Sequence, residues 1–223
     1  MTIRLMHASD LHGRYEMLEE ASHQEFDAWC ITGDFFPNKA RSFGELRGPD
    51  EAKYQAAWFG HKEDSILRRL GDKPVITVDG NHDFVSLGAL LQRARPGMVH
   101  RITPTGLTFM GAKFAGFPNI PYIAGHWNEE SHSAELSDIV YNVFEYGDPE
   151  VLVTHAPPYD ILDEIEGYGI RALSSSLSHR IHRVRAHLFG HCHLDGGKSV
   201  ERMFGDQKID FHNSAEHVRL IVV

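Results

Sequence analysis

The feature that most constrains this chain is an alternation. Short apolar runs, each too brief for a helix, are stopped one after another by a carboxylate, a carboxamide or an imidazole. TIRLMHAS (2–9) runs into Asp10 and His12, and FDAWCITG (26–33) runs into Asp34. KPVITVDG (73–80), opened by Pro74, runs into Asn81, His82 and Asp83. EVLV (150–153) runs into His155 ahead of paired prolines, and AHLF (186–189) runs through Gly190 into His191 and His193. Runs of this length read as strands. Between them, RYEMLEEASHQ (14–24), residues 50–70, 132–147 and 174–185 carry helical spacing or composition, with Gly71 and Gly147 as C-terminal stops. GLTFMGAKFAGFP (106–118) reads as two strands around Gly111. The tail from Lys198 alternates like an antiparallel meander with a hairpin at Gly205-Asp206. Strands alternating with helices, then consecutive strands, predict a mixed α/β sandwich with helices outside.

Ligands of α/β sheets bind at the carboxyl ends of the strands, so these polar residues can converge although most of the chain separates them. His191 and His193 sit two apart, and side chains two apart in extended backbone point to one side. Cys192, between them, should point away. Two Asp oxygens, one Asn oxygen and four His nitrogens are too many for one tetrahedral ion. They suit two ions that share a carboxylate. Oxygen and imidazole donors without thiolate favour Mn, Fe, Zn, Co or Ni over Ca or Mg. Each residue alone has an ordinary reading: Asp10 as a helix cap, Asp34 and Asn81 as turn residues, His155 as a satisfied buried histidine. Five strand ends in succession do not.

At 223 residues, the chain has room for one substantial domain, expected over 1–223, and no linker-like stretch divides it. The net charge of −9, without a basic run, argues against wrapping extended nucleic acid. No apolar stretch approaches a membrane span, and MTIRLMHASD runs directly into a strand pattern rather than a signal peptide. Cys30 and Cys192 point to a reduced, cytoplasmic setting rather than a disulfide framework. The 16 histidines include no terminal run, which excludes a purification tag.

Taken together, D-x-H at Asp10 and His12, G-D at Gly33-Asp34, G-N-H-D at Gly80–Asp83, the strand-end His155 and G-H-x-H at Gly190–His193 resemble the calcineurin-like metallophosphoesterases, in that family's order. GAKFAGFPNIP, THAPP and DFHNSA are similar to its small branch that includes class III cyclic-nucleotide phosphodiesterase relatives. The resemblance implies a four-layer α/β/β/α sandwich of two mixed sheets flanked by helices. It implies a binuclear centre of divalent transition-metal ions, manganese first and Fe, Zn, Ni or Co as the others. Asp10, His12 and His193 would hold one ion, Asn81, His155 and His191 the second, and Asp34 would bridge them. His82 would stay unligated and face the substrate, with Asp83 behind it fixing its orientation.

The chemistry agrees with that assignment. A phosphate ester repels hydroxide, so catalysis is mainly charge neutralisation and positioning. Two ions about 3.5–4 Å apart acidify a bridging water and clamp the phosphoryl oxygens for in-line attack by a metal-bridging hydroxide. The departing alkoxide needs a proton, and His82 is the candidate donor. The expected protein is a metal-dependent phosphodiesterase or phosphatase of a small phosphorylated substrate, nucleotides included. The alternative is a non-catalytic, metal-holding scaffold of the same fold that binds a partner. FFPNKAR after Asp34 lacks the Asp-Arg of Ser/Thr protein phosphatases, and His rather than Arg at 82 disfavours the nucleotide-sugar lipid hydrolases. Residues 35–50 and 118–130 are expected to form the substrate pocket, with Phe36, Asn38, His126 and Tyr159 facing it.

Overall fold

The computed structural model of this protein describes residues 2–21, 24–40, 45, 48–163 and 168–223. Every run that ends in a candidate ligand is a strand. They are β1 (Arg4–Ser9), β2 (Ala28–Thr32), β3 (Val75–Val78), β9 (Val151–Thr154) and β10 (Ala186–Phe189). Around them lie β4 (Val99–Arg101), β5 (Leu107–Phe109), β6 (Ala112–Phe117), β7 (Ile120–Pro121), β8 (Glu130–Ser131), β11 (Ser199–Phe204), β12 (Gln207–Asn213) and β13 (His217–Val222). Among the described residues, four α-helices interleave: α1 (Gly48–Leu70), α2 (Leu87–Ala94), α3 (Ser133–Asn142) and α4 (Arg171–His179).

The strands form two large mixed sheets, ordered β13-β1-β2-β3-β4 and β11-β12-β10-β9-β6-β5, and β7 pairs with β8. In both large sheets the central strands run parallel, and the antiparallel strands lie at edges: β13 in the first, β11 and β5 in the second. Parallel strands must be covered on both faces, which is why their sequences are apolar throughout rather than alternating. Three buried clusters give the layers. Leu5, Cys30 and Ile76 of the first sheet meet Phe114, Val151, Val153 and Leu188 of the second. Met6, Trp29 and Ile31 face outward onto Phe59, Ile66 and Leu70 of α1 and Leu87 and Leu91 of α2. On the far side, Ala115, Leu152, Phe189 and Phe211 pack under Leu136 and Val140 of α3 and Leu173 and Leu177 of α4. The result is the expected α/β/β/α sandwich.

Local expectations differ in four places. Residues 14–24 form a tighter 3-10 turn over Tyr15–Ala21, with residues 22–23 outside the described set. Its apolar residues Tyr15, Leu18 and Ala21 recur every third position, the period of that helix. The helix expected over 174–185 spans Arg171–His179 instead; Ile181, just beyond it, is fully exposed and has no surface to pack on. The tail is not one meander. β11 and β12 pair about Gly205, but β12 then runs parallel to β10, and β13 crosses to lie antiparallel to β1 in the other sheet. Alternation reports which faces a strand buries, not which strand lies beside it. Helix α2 has no counterpart in the sequence reading, although the Ser86 side chain caps it by accepting from the Ala89 amide at 3.3 Å.

Candidate metal centre

Each candidate ligand sits just past the carboxyl end of its strand. Asp10 and His12 follow β1, Asp34 follows β2, Asn81 follows β3, His155 follows β9, and His191 and His193 follow β10. The two sheets therefore contribute from opposite sides. At four of these positions the backbone is left-handed without glycine: Asp10 (φ 55), His12 (φ 45), Asp34 (φ 52) and His191 (φ 68). Such conformations cost of order 1–3 kcal/mol each and persist where the surrounding structure over-determines them. Two glycines make room. A Cβ on Gly33 (φ 94) would lie 2.6 Å from His155 Nδ1, and one on Gly80 would overlap the Asp34 carboxylate.

The hydrogen bonds orient the donors. Asp34 Oδ1 accepts the His82 amide at 2.7 Å, which leaves Oδ2 facing His155 Nε2 at 3.4 Å and His12 Nε2 at 3.9 Å. Asp10 Oδ2 accepts from the Ser9 hydroxyl (2.6 Å) and the His191 amide (2.9 Å), and Oδ1 faces His193 Nε2 at 3.1 Å. His155 donates Nδ1–H to the Thr32 carbonyl at 2.7 Å, so its Nε2 is the free donor atom, 2.9 Å from Asn81 Oδ1. Ring nitrogens that anchor to backbone carbonyls in this way are the usual outer support of ligating histidines. The Nε2 of His12 and of His193 are 3.5 Å apart. Donor atoms gather into three overlapping groups: Asp10, His12 and His193; Asp10, Asp34 and His155; and His12, Asp34 and His82. His82 thus stands against the centre, with its ring edge-on to His12 at 4.7 Å. His191 is not in these groups, but among the described residues its buried Nε2 has no hydrogen-bond partner, and its ring lies 5.0 Å from that of His155.

Electrostatics follow from burial. Burial opposes ionisation of Asp34, but the charges of His155 and His82 outweigh it and hold its carboxyl well below the usual range. The same balance, led by the His193 hydrogen bond, keeps the Asp10 carboxyl low. His155 is opposed by burial too, yet Asp34 beside it raises its pKa to about 10. His191, where burial acts with the His155 charge, falls to about 3. Burial also lowers His82. Protons thus fill the place of positive charge at His155, and His191 offers a bare nitrogen.

The centre opens into a cavity of about 430 Å³, floored by Asp34, Asn81, His191 and His193 and walled by His82, Trp127, Tyr168, Ile123 and Ala124. A larger cavity of about 610 Å³, lined in part by Tyr122, His132 and Arg171, lies outside the ligand cluster. Of the residues expected at the pocket, Asn38 reaches it through His82: its Oδ1 accepts from His82 Nδ1. Phe36 does not. It is fully buried, edge-on to Phe35, Trp58 and Phe59. Within 118–130 the lining residues are Ile123, Ala124 and Trp127 rather than His126, and Tyr159 lies under the Arg171 guanidinium, 3.7 Å away. Within 35–50, residues 41–44 and 46–47 lie outside the described set. Asp83 lies behind the site, next to His82 in the turn that follows β3. Its carboxylate accepts from the amides of Phe35, Phe36 and Gly80, stapling the β2 and β3 loops together. Trp127, 4.1 Å from the His82 ring, falls within the expected 118–130 segment but is not singled out there, and Tyr168 lies outside both expected segments. Their only sequence signal is an aromatic in a loop.

Residues 3–195 match the family model of the calcineurin-like phosphoesterases. The chain belongs to that family. Among known proteins, the chain is similar to the UPF0046 protein K07C11.7 of Caenorhabditis elegans, 28% identical over 210 residues. That alignment takes in 87% of this chain and 65% of the relative's length. Among solved structures it resembles TT1561 of Thermus thermophilus, with a TM-score of 0.60 at 16% identity, covering 100% of this chain and 99% of that one. At that identity the likeness concerns the fold. Family and donor cluster together support a metal-dependent phosphoesterase. Among the described residues, no helix is long and apolar enough to cross a membrane.

Proposed function

We propose that residues 1–223 form one binuclear metal-dependent phosphoesterase domain that hydrolyses a small phosphodiester or phosphomonoester, nucleotides included. Asp10, His12 and His193 hold one divalent cation, Asn81, His155 and His191 the other, and Asp34 is shared. Manganese is the first choice of ion, with Fe, Zn, Ni and Co compatible with the same donors. The observation that carries this reading is the convergence of carboxylate, carboxamide and imidazole donors from both sheets on one cavity, with the buried His191 Nε2 left without a partner among the described residues. The unpaired, buried Cys30 and Cys192 support a reducing, cytoplasmic setting.

When bound, the cations would supply charge neutralisation at the phosphoryl oxygens and lower the pKa of water. The chain's own residues do the rest. Asp34 and Asp10, ionised and buried, supply the negative charge that retains the cations. His82 faces the cavity from the side and donates the proton that the departing oxygen requires. Trp127 and Tyr168 wall the space for the remainder of the substrate and limit its access to water.

The test is hydrolysis by Mn²⁺-reconstituted protein of bis-p-nitrophenyl phosphate and p-nitrophenyl phosphate side by side. Diester cleavage places the protein among the phosphodiesterases, and monoester preference places it among the phosphatases. Silence toward both across Mn²⁺, Zn²⁺, Ni²⁺ and Fe²⁺ overturns the enzymatic reading in favour of a metal-holding scaffold.

A further inference from the structure

Helix α1 buries two polar side chains one turn apart, Glu51 (2% exposed) and Gln55 (0%), at the end nearest the centre. An amphipathic helix would place apolar residues there, as α1 itself does further on with Phe59, Ile66 and Leu70. Burying a carboxylate is costly unless its oxygens are satisfied. Both oxygens of Glu51 are turned to donors: Oε2 accepts the Lys39 amide at 2.7 Å, and Oε1 accepts the Ala40 amide at 2.8 Å. Oε2 also receives the Asn38 side-chain amide, Nδ2, at 3.4 Å. Asn38 Oδ1 in turn meets His82 Nδ1. Gln55 completes the arrangement on the backbone, donating to the His82 carbonyl at 2.6 Å and accepting from the Phe84 amide at 2.7 Å.

We propose that Glu51 and Asn38 are positioning residues that fix the tautomer of His82. Each bond in the series sets the direction of the next. A carboxylate whose oxygens already accept two backbone N–H groups can only accept again. The Asn38 amide must therefore present its NH₂ to Glu51, which turns Oδ1 to His82. A carboxamide oxygen is also only an acceptor, so His82 Nδ1 must carry the hydrogen. Nε2 is then the ring nitrogen left for the cavity that His82 lines; it is bare in the neutral ring and carries the proton for the departing oxygen in the imidazolium form. The ring plane is held independently, by Trp127 on one side and His12 edge-on. An acceptor buried under α1 thus decides which nitrogen of a cavity residue exchanges protons. The inference rests on the reading of His82 as the proton donor, but the tautomer itself does not depend on it.

The experiment is ¹⁵N–¹H correlation of the histidine rings in the metal-free 223-residue protein, under mildly alkaline conditions where imidazole is neutral. His82 is assigned by its absence from His82→Ala. The expected result is a His82 ring protonated at Nδ1. Asn38→Leu and Glu51→Gln should each shift that population toward Nε2–H. With the Mn²⁺ protein, Asn38→Leu should lower kcat by roughly tenfold to a hundredfold with KM within about twofold, as for other residues that orient an active group. Asn38→Asp, which restores an acceptor, should recover part of that loss. A wild-type His82 protonated at Nε2 overturns the proposal and needs no variant to fold. An Asn38→Leu protein with unchanged tautomer and kcat overturns it as well. Failure of every phosphoester to react leaves the ring measurement to decide on its own, so the two readings fail separately.

Discussion

Asp34 shows how much one carboxylate is asked to do. One oxygen holds the His82 amide in place, and the other looks toward His155 and His12. Replacing it with alanine removes the shared ligand and leaves the buried His155 cation unpaired. Asp34→Ala should lose both cations by elemental analysis after dialysis against Mn²⁺, and a variant that keeps two ions contradicts the shared role. His82→Ala should do the opposite, keeping its metal content while kcat falls by about 10²–10⁴. Gly80→Ala tests the cradle: its Cβ would overlap the Asp34 carboxylate, so metal uptake should fall and stability drop by about 1–3 kcal/mol, read from urea midpoints. The clustering of the candidate ligands was legible in the sequence because each follows an apolar run, and a strand end is a local event. Asn38, Trp127 and Tyr168 were harder. Asn38 sits four residues past Asp34 in a loop, and nothing local says that its oxygen meets a ring 44 residues away.

Elements were legible where one strand carries its own evidence, and less so where a partner decides. β1, β2, β3, β9 and β10 are parallel strands buried on both faces, so their apolar runs are unmistakable. The destination of β13 is different. Its pattern fits an edge strand anywhere, and only the crossing that pairs Arg4 with Val222 and Ser9 with His217 places it beside β1. That placement covers an edge the site depends on, since Asp10 and His12 leave from the end of β1. Substitutions should separate the layers. Leu188→Ala, in the fully buried space between the sheets, should cost about 2–5 kcal/mol by chemical denaturation. A substitution of Asp206 at the β11–β12 hairpin tip should stay within about 0.5 kcal/mol. A small Leu188→Ala effect would mean that the two sheets are not packed through one core.

At the scale of the whole molecule, the histidines set opposing pH limits. His187 is buried on β10, where burial lowers its pKa to about 3, and His212 is lowered by burial to about 4. Both therefore bind fewer protons folded than unfolded, and the stability they confer is lost as pH falls from the ordinary 6.5 toward those values. His155, raised to about 10 by Asp34, acts in reverse: its contribution is full below 6.5 and is lost as pH rises toward 10. Each group acts at up to about 1.4 kcal/mol per pH unit inside its window. The metal-free protein should accordingly be most stable near neutrality, with urea midpoints falling on both sides. His187→Asn should flatten the acid limb alone. With cations held as proposed, the alkaline limb should change, because a metal at His155 would replace the proton that Asp34 otherwise holds there, and uptake would release it. They also act on the fold as a whole. Asp10, His12, Asp34 and Asn81 extend from one sheet and His155, His191 and His193 from the other, so a filled centre ties the sheets at their carboxyl ends. Mn²⁺ at a hundredfold excess over its Kd should add about 2.7 kcal/mol per site. Amide exchange should slow together at the ends of β1, β2 and β3 and of β9 and β10. Protection confined to one sheet would mean that the ion binds one half of the donors and leaves the interface between the sheets untied.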